Sequence, residues 1–151
     1  MKLAEALILR SDLQKRLEQI KDRLKKNILV QEGDSPAEDP EDLLKEFFNL
    51  QNDLVDLIKR INHTNHMTEF TDKRSLSDAL ADRDALLEKR ALLASMASDA
   101  SFKMDRYSKT EIRYISTIDV KQVQQAVDQT SKEYRELDTK IQGLNWNIDL
   151  I

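Results

Sequence analysis

Apolar residues recur along this chain in alternating steps of three and four, the spacing of helices that pack side by side. Leu13, Leu17, Ile20 and Leu24 set the rhythm in a first helix predicted over about Lys2–Lys26. Phe47, Leu50, Leu54, Leu57 and Ile61 repeat it in a second, about Pro40–Asn65. There Leu43, Leu44, Phe48, Val55 and Ile58 widen the stripe, and so wide an apolar face predicts contact with more than one neighbour. A third helix is predicted from Ser75 or Ser77 to about Lys103, with Leu76, Leu80, Leu87, Leu93, Met96 and Ala97 as core candidates. The longest series is Val120, Val123, Val127, Thr130, Tyr134, Leu137, Ile141 and Leu144, which marks a fourth.

The ends of these segments carry matching signals. Asp39 before Pro40 reads as an N-cap with proline at the first helical position, Asp119 caps the fourth helix with Gln122 three residues on, and SLSD reads as a capping box ending in Asp78. One stretch, RYSKTEIRYISTIDVKQVQ, breaks the helical spacing by crowding Ile112, Tyr114, Ile115, Ile118 and Val120. A lone strand is unstable in water, so Glu111–Ser116 is expected to pair with Asn27–Gln31, the other extended-looking run. The Ile112–Tyr114 side would pack beneath helix ends, with Glu111 and Arg113 facing water. The alternative is an apolar-rich loop between helices. The expected fold is therefore all-α: an elongated antiparallel bundle of four long helices, with a short two-stranded β ribbon as an optional addition.

Composition supports that class. With two glycines, two prolines and 5% aromatics in 151 residues, turns are few and elements long, and the length suits a single domain over 1–151. The absence of cysteine removes disulfides, thiol nucleophiles and cysteine-ligated metals. In MKLAEALILR, Glu5 interrupts the apolar run and Arg10 closes it, so the segment is expected to be a mature helix and not a signal peptide. Ala91–Ala97 is the longest apolar run, far short of the roughly 18 residues a membrane span needs. A cytoplasmic location is expected. Charge is uneven: residues 1–26 hold eight Lys and Arg against four Asp and Glu, whereas residues 32–56 hold nine acids against Lys45. The acidic segment is a nearer partner for the basic helix than nucleic acid, and no nucleic-acid binding is expected.

Candidate chemistry is sparse. His63 and His66 in INHTNHMT share one side of a helix and form a candidate metal pair if another helix lends a carboxylate, but neither has Glu three residues before it, as a carboxylate-bridged di-metal bundle requires. The plainer reading is a polar helix C-terminus where imidazole faces the dipole. Asp53 with Asp56, and Glu133 with Glu136, have the spacing of Mg-binding carboxylate pairs in all-α nucleotide pyrophosphatases, yet each pair sits among Lys and Arg as ordinary surface. No phosphate-binding glycine loop, GxSxG or dinucleotide fingerprint is present, so no cofactor is expected. Arg83, Asp84, Glu88, Lys89 and Arg90 read as surface pairing within a helix, with an ion pair inside a bundle as the alternative. The residues expected to carry core or interface contacts are Leu54, Leu57, Ile61, Val127, Tyr134, Leu137, Ile112, Tyr114 and the single tryptophan, Trp146.

The strings MKLAEALILRSDLQKR, QEGDSPAEDPEDLL, IKRINHTN, LSDALADRDALLEKR, RYSKTEIRYISTIDV and ELDTKIQGLNW, spread over residues 1 to 146, make the chain resemble the septicolysin-like proteins of bacteria. The resemblance implies a small, soluble, helical, self-associating protein without an established activity. The family name borrows from a pore-forming toxin. A large cholesterol-dependent cytolysin needs a β-rich scaffold and a tryptophan-rich tip, and this chain has one tryptophan and no cysteine. The leading expectation is a self-associating helical interaction or structural protein, a homo-oligomer whose apolar stripes are completed by copies of itself. The alternatives are a metal- or small-ligand-binding bundle, with or without enzymatic activity, and a membrane-acting protein that inserts amphipathic helices.

Overall fold

The computed structural model describes residues 1–71, 73–101 and 114–151. Of these residues 77% are helical, more than twice the roughly one-third of an average soluble protein, and the class is all-α. The elements run α1 (Leu3–Asn27), α2 (Pro40–Met67), β1 (Glu69–Thr71), β2 (Arg74–Ser75), α3 (Leu76–Ala100) and α4 (Val120–Asn147). Local chemistry sets the helix starts. Asp39 accepts a hydrogen bond from the Glu41 amide at 2.9 Å, and Asp119 accepts one from Gln122 at 3.2 Å. At α1 the Glu5 carboxylate reaches back to the Lys2 amide at 2.7 Å, so an acid in the first turn satisfies an orphan donor.

Contacts group the chain into two compact units, residues 1–75 with 143–151, and residues 76–142. In the first, α1 and α2 form an antiparallel hairpin: Leu13, Leu17 and Ile20 are buried on α1, Leu43, Leu57 and Ile61 on α2, and Leu54 is half-buried beside them. The tail after α4 ties down the free end of this hairpin. The Leu3 amide donates to Ile148 O at 3.0 Å, the Leu150 amide to Met1 O at 2.9 Å, and Lys2 meets Asp149 at 3.0 Å. Fully buried Thr64 donates its hydroxyl to Arg60 O at 2.9 Å and accepts the Ile151 amide at 3.0 Å.

The second unit is the α3–α4 hairpin, also antiparallel. Arg83 on α3 meets Asp138 on α4 at 3.3 Å, and the Arg90 guanidinium lies 5.6 Å from the Tyr134 ring centroid. The charged cluster around Arg83 therefore does more than pair within its own helix. Burial alone would lower the Arg83 pKa, but hydrogen bonds and charge from Asp84 and then Asp138 outweigh it and hold the guanidinium above its ordinary value. Thr130 and Ile141 on the α4 seam are buried, whereas Val127, Tyr134 and Leu137 are half-buried.

A two-stranded antiparallel sheet is present, but not where the chain's extended-looking runs placed it. It is the β1–β2 hairpin, with Glu69 opposite Ser75, and Lys73 in its turn takes φ +66°. Asn27–Gln31 forms no strand. Asn27 is the last residue of α1, and its buried side chain donates to Arg23 O at 2.8 Å and accepts the Glu38 amide at 3.0 Å. This side-chain clasp closes the loop without a ladder, leaving Ile28, Leu29 and Val30 exposed; Gly33, at φ +88°, supplies the left-handed residue of the turn. Of the expected partner strand, Glu111, Ile112 and Arg113 lie outside the described residues. Tyr114–Ser116 are not strand, and Tyr114 is 83% exposed and so does not pack beneath a helix end. Ser116 instead makes a local turn, its hydroxyl donating to Ile118 O at 2.7 Å and leading into the Asp119 cap.

Two measurements test these clasps. Thr64→Val removes the acceptor of the Ile151 amide and should cost about 1 kcal/mol, read as a lower melting temperature with faster amide exchange confined to the 148–151 tail. The Arg23 hydrogen bond, helped by its charge and opposed by burial, holds the Glu38 pKa below its ordinary value. A depressed carboxylate stabilises the fold above its unfolded pKa, and that contribution disappears as pH falls through the folded value. The melting-temperature gap between wild type and Glu38→Gln should accordingly be widest near neutrality and close on acidification below the usual carboxylate range. A gap independent of pH would rule out this contribution.

Candidate interaction surface

At about 100° per residue, Leu44, Phe48, Gln51, Val55 and Ile58 fall within roughly a quarter of the circumference of α2, turned away from the residues that face α1. The structure leaves this face uncovered: Leu44 is 44% exposed, Phe48 51% and Val55 42%, while Ile58 is half-buried. Phe47, which borders both faces, stacks edge-on against Phe48 with ring centroids 5.9 Å apart and fixes that ring on the outer face. The predicted wide stripe thus has one half buried against α1 and one half in solvent. On one side of the exposed half, Glu41 and Lys59 lie beside the stripe and Lys45 and Asp56 further round the helix, Asp56 also lining the groove toward α1. Lys45 and Asp56 make only loose contacts within α2, with Asp42 at 3.8 Å and Lys59 at 3.5 Å, and the side chains of Asp42, Lys45, Asp56 and Lys59 are each more than 70% exposed.

The charges of α1 find their partners nearby. Arg23 donates to Glu38 through Nε at 2.9 Å and also through Nη2, and reaches Glu46 at 3.9 Å, so the acidic segment does pair with the basic helix. Its guanidinium pKa is raised, first by the Glu38 hydrogen bond.

The candidate ligands do not converge on a metal. His63 and His66 are both exposed at the C-terminal end of α2, and among the described residues no group of three or more His, Cys, Asp or Glu comes together. His66 lines a shallow pocket with Thr68, Glu69 and Lys73 at the β hairpin. Asp53 and Asp56 line an open groove of the α1–α2 hairpin with Leu9, Leu13 and Arg60, so the guanidinium already supplies positive charge beside them. Glu136 meets Lys132 at 3.9 Å and Glu133 accepts from Gln129 at 3.0 Å, as ordinary helix-surface contacts. No described helix is long and apolar enough to cross a membrane.

Of the residues expected at core or interface, Leu57 and Ile61 are buried, Leu54, Val127, Tyr134 and Leu137 half-buried, and Ile112 lies outside the described residues. Trp146 is 56% exposed on the last turns of α4 and does not anchor a core within the chain. The exposed half of α2 was legible as stripe width, whereas the Asn27 and Thr64 clasps were missed, since neither residue occupies a spacing that signals its hydrogen bonds.

No curated protein matches the chain. Among solved structures it is similar to a crystal structure of a functionally unknown conserved protein from Corynebacterium diphtheriae, with 44% identity over 100% of this chain and 99% of that one and a TM-score of 0.95. Residues 10–150 match the model of a family of unknown function, DUF6847. That match covers nearly the whole chain, and the protein belongs to this family.

Proposed function

We propose that this chain is a self-associating helical interaction protein whose α2 is completed by a second copy; the resemblance to the septicolysin-like proteins belongs to the same proposal. One observation supports it above the others: half of a wide apolar stripe on α2 is buried against α1 and half, at Leu44, Phe48 and Val55, stands in water. Scattered exposed apolar residues are ordinary, but a row of them on one helix face marks an interaction surface. A charge in that row would be buried by association and cost several kcal/mol if unpaired, while costing little in the free chain. Phe48→Glu should therefore reduce the mass measured by light scattering from a multiple of the chain to the single chain, with helix content unchanged. A wild-type protein of single-chain mass at all micromolar concentrations would exclude self-association. A variant that associates as well as wild type would exclude this face.

A further inference from the structure

The charges beside the stripe point to how two copies would lie, and this step rests on the self-association reading. Glu41, Lys45, Asp56 and Lys59 occupy the same flank of α2, in the order acid, base, acid, base. When two helices pack antiparallel across a two-fold axis, each flank meets the same flank of the other copy in reverse order. Reversing this series sets every acid against a base. A parallel pair would instead set the flank against the opposite edge of the stripe, where Phe47 and Leu54 adjoin α1 and no charge is available.

We infer that a second copy packs antiparallel on α2 about a two-fold axis at Gln51, with Glu41 facing the partner's Lys59 and Lys45 facing the partner's Asp56. The same register, within a residue or two, brings Leu44 against the partner's Ile58 and Phe48 against the partner's Val55. The charge pairs centre at about position 50 and the apolar pairs at about position 51, so the two sets agree on the axis to about one residue. Gln51, the polar residue in the middle of the stripe, meets its own copy there, where two side-chain amides can hydrogen-bond to each other. The occupant is a second copy of this chain because the pattern is complementary to itself. The exposed lysines and acids are held only by loose contacts within α2, so little has to be broken for them to re-pair across the axis.

The chain has no cysteine, so single cysteines report the register cleanly. A disulfide needs Cα atoms about 4.4–6.8 Å apart, which an antiparallel pair provides for a residue and its own copy only near the axis. Under mild oxidation Gln51→Cys should form a covalent dimer, Leu44→Cys alone should not, and a mixture of Leu44→Cys with Ile58→Cys should. Cross-linking of Leu44→Cys with itself would mean parallel helices, and a wild-type oligomer with no cross-link at any of these positions would mean another register; either overturns this inference while self-association stands. A monomeric wild type would overturn both. As a second measurement, Glu41→Lys should weaken dimerisation roughly tenfold through its two symmetric like-charge contacts, and adding Lys59→Glu should restore it. A double variant as weak as the single one, with normal helicity in each, would also overturn the pairing.

Discussion

A helix in a two-helix layer can turn only one side toward its neighbour, and the rest of this structure follows from that limit. The α2 stripe spans about half the helix circumference, roughly twice what one packed neighbour covers. Leu57 and Ile61 satisfy the half against α1, and Leu44, Phe48 and Val55 are what remains. The α3–α4 hairpin shows the same limit in milder form. Its seam residues Val127, Tyr134 and Leu137 are half-buried, and Leu87 and Leu92 are exposed.

Polar side chains, and not the apolar stripes, fix the ends of the α1–α2 hairpin. Asn27 closes α1 and holds the Glu38 amide, Arg23 grips the Glu38 carboxylate, and Thr64 ties the last residues to α2. Asn27 and Thr64 satisfy backbone groups that a helix terminus or a tail would otherwise leave without partners, and Arg23 adds a charged pair beside the first. Apolar packing along a seam tolerates sliding by a turn, because one leucine resembles the next. Directional hydrogen bonds do not, so these clasps set the alignment of the two helices while the leucines supply most of the cohesion.

Helix number, class and most boundaries were readable because each rests on a repeated or local signal: three-four spacing for Leu13 to Leu24, an acid before proline at Asp39, an acid three residues before Gln122 at Asp119. The ribbon was not readable, for two reasons. β1 and β2 are only three and two residues long and mostly polar, with no alternation to read, and their turn uses Lys73 at positive φ where glycine or asparagine would signal it. Ile28, Leu29 and Val30 carry strong β propensity, yet propensity without a partner decides nothing, and the Asn27 clasp settles that segment as a loop. Likewise the wide α2 stripe was visible in the sequence, but which half would face α1 depends on long-range packing that sets Leu13 and Leu57 along one groove.

Affinity and alignment can be assigned to different residues on the exposed face. Leu44, Phe48 and Val55 offer non-directional burial, which would accept several registers and either orientation. Gln51 changes this, because an amide in the middle of an apolar stripe must find a polar partner once water is excluded, and most registers offer it only aliphatic carbon. The flanking charges add a second restriction, since a register displaced by a turn sets Glu41 or Lys45 against a residue of like or no charge. A single polar residue inside the stripe and four charges beside it thus reduce many nearly equal apolar packings to one, at the cost of some of the burial that a leucine at position 51 would have added.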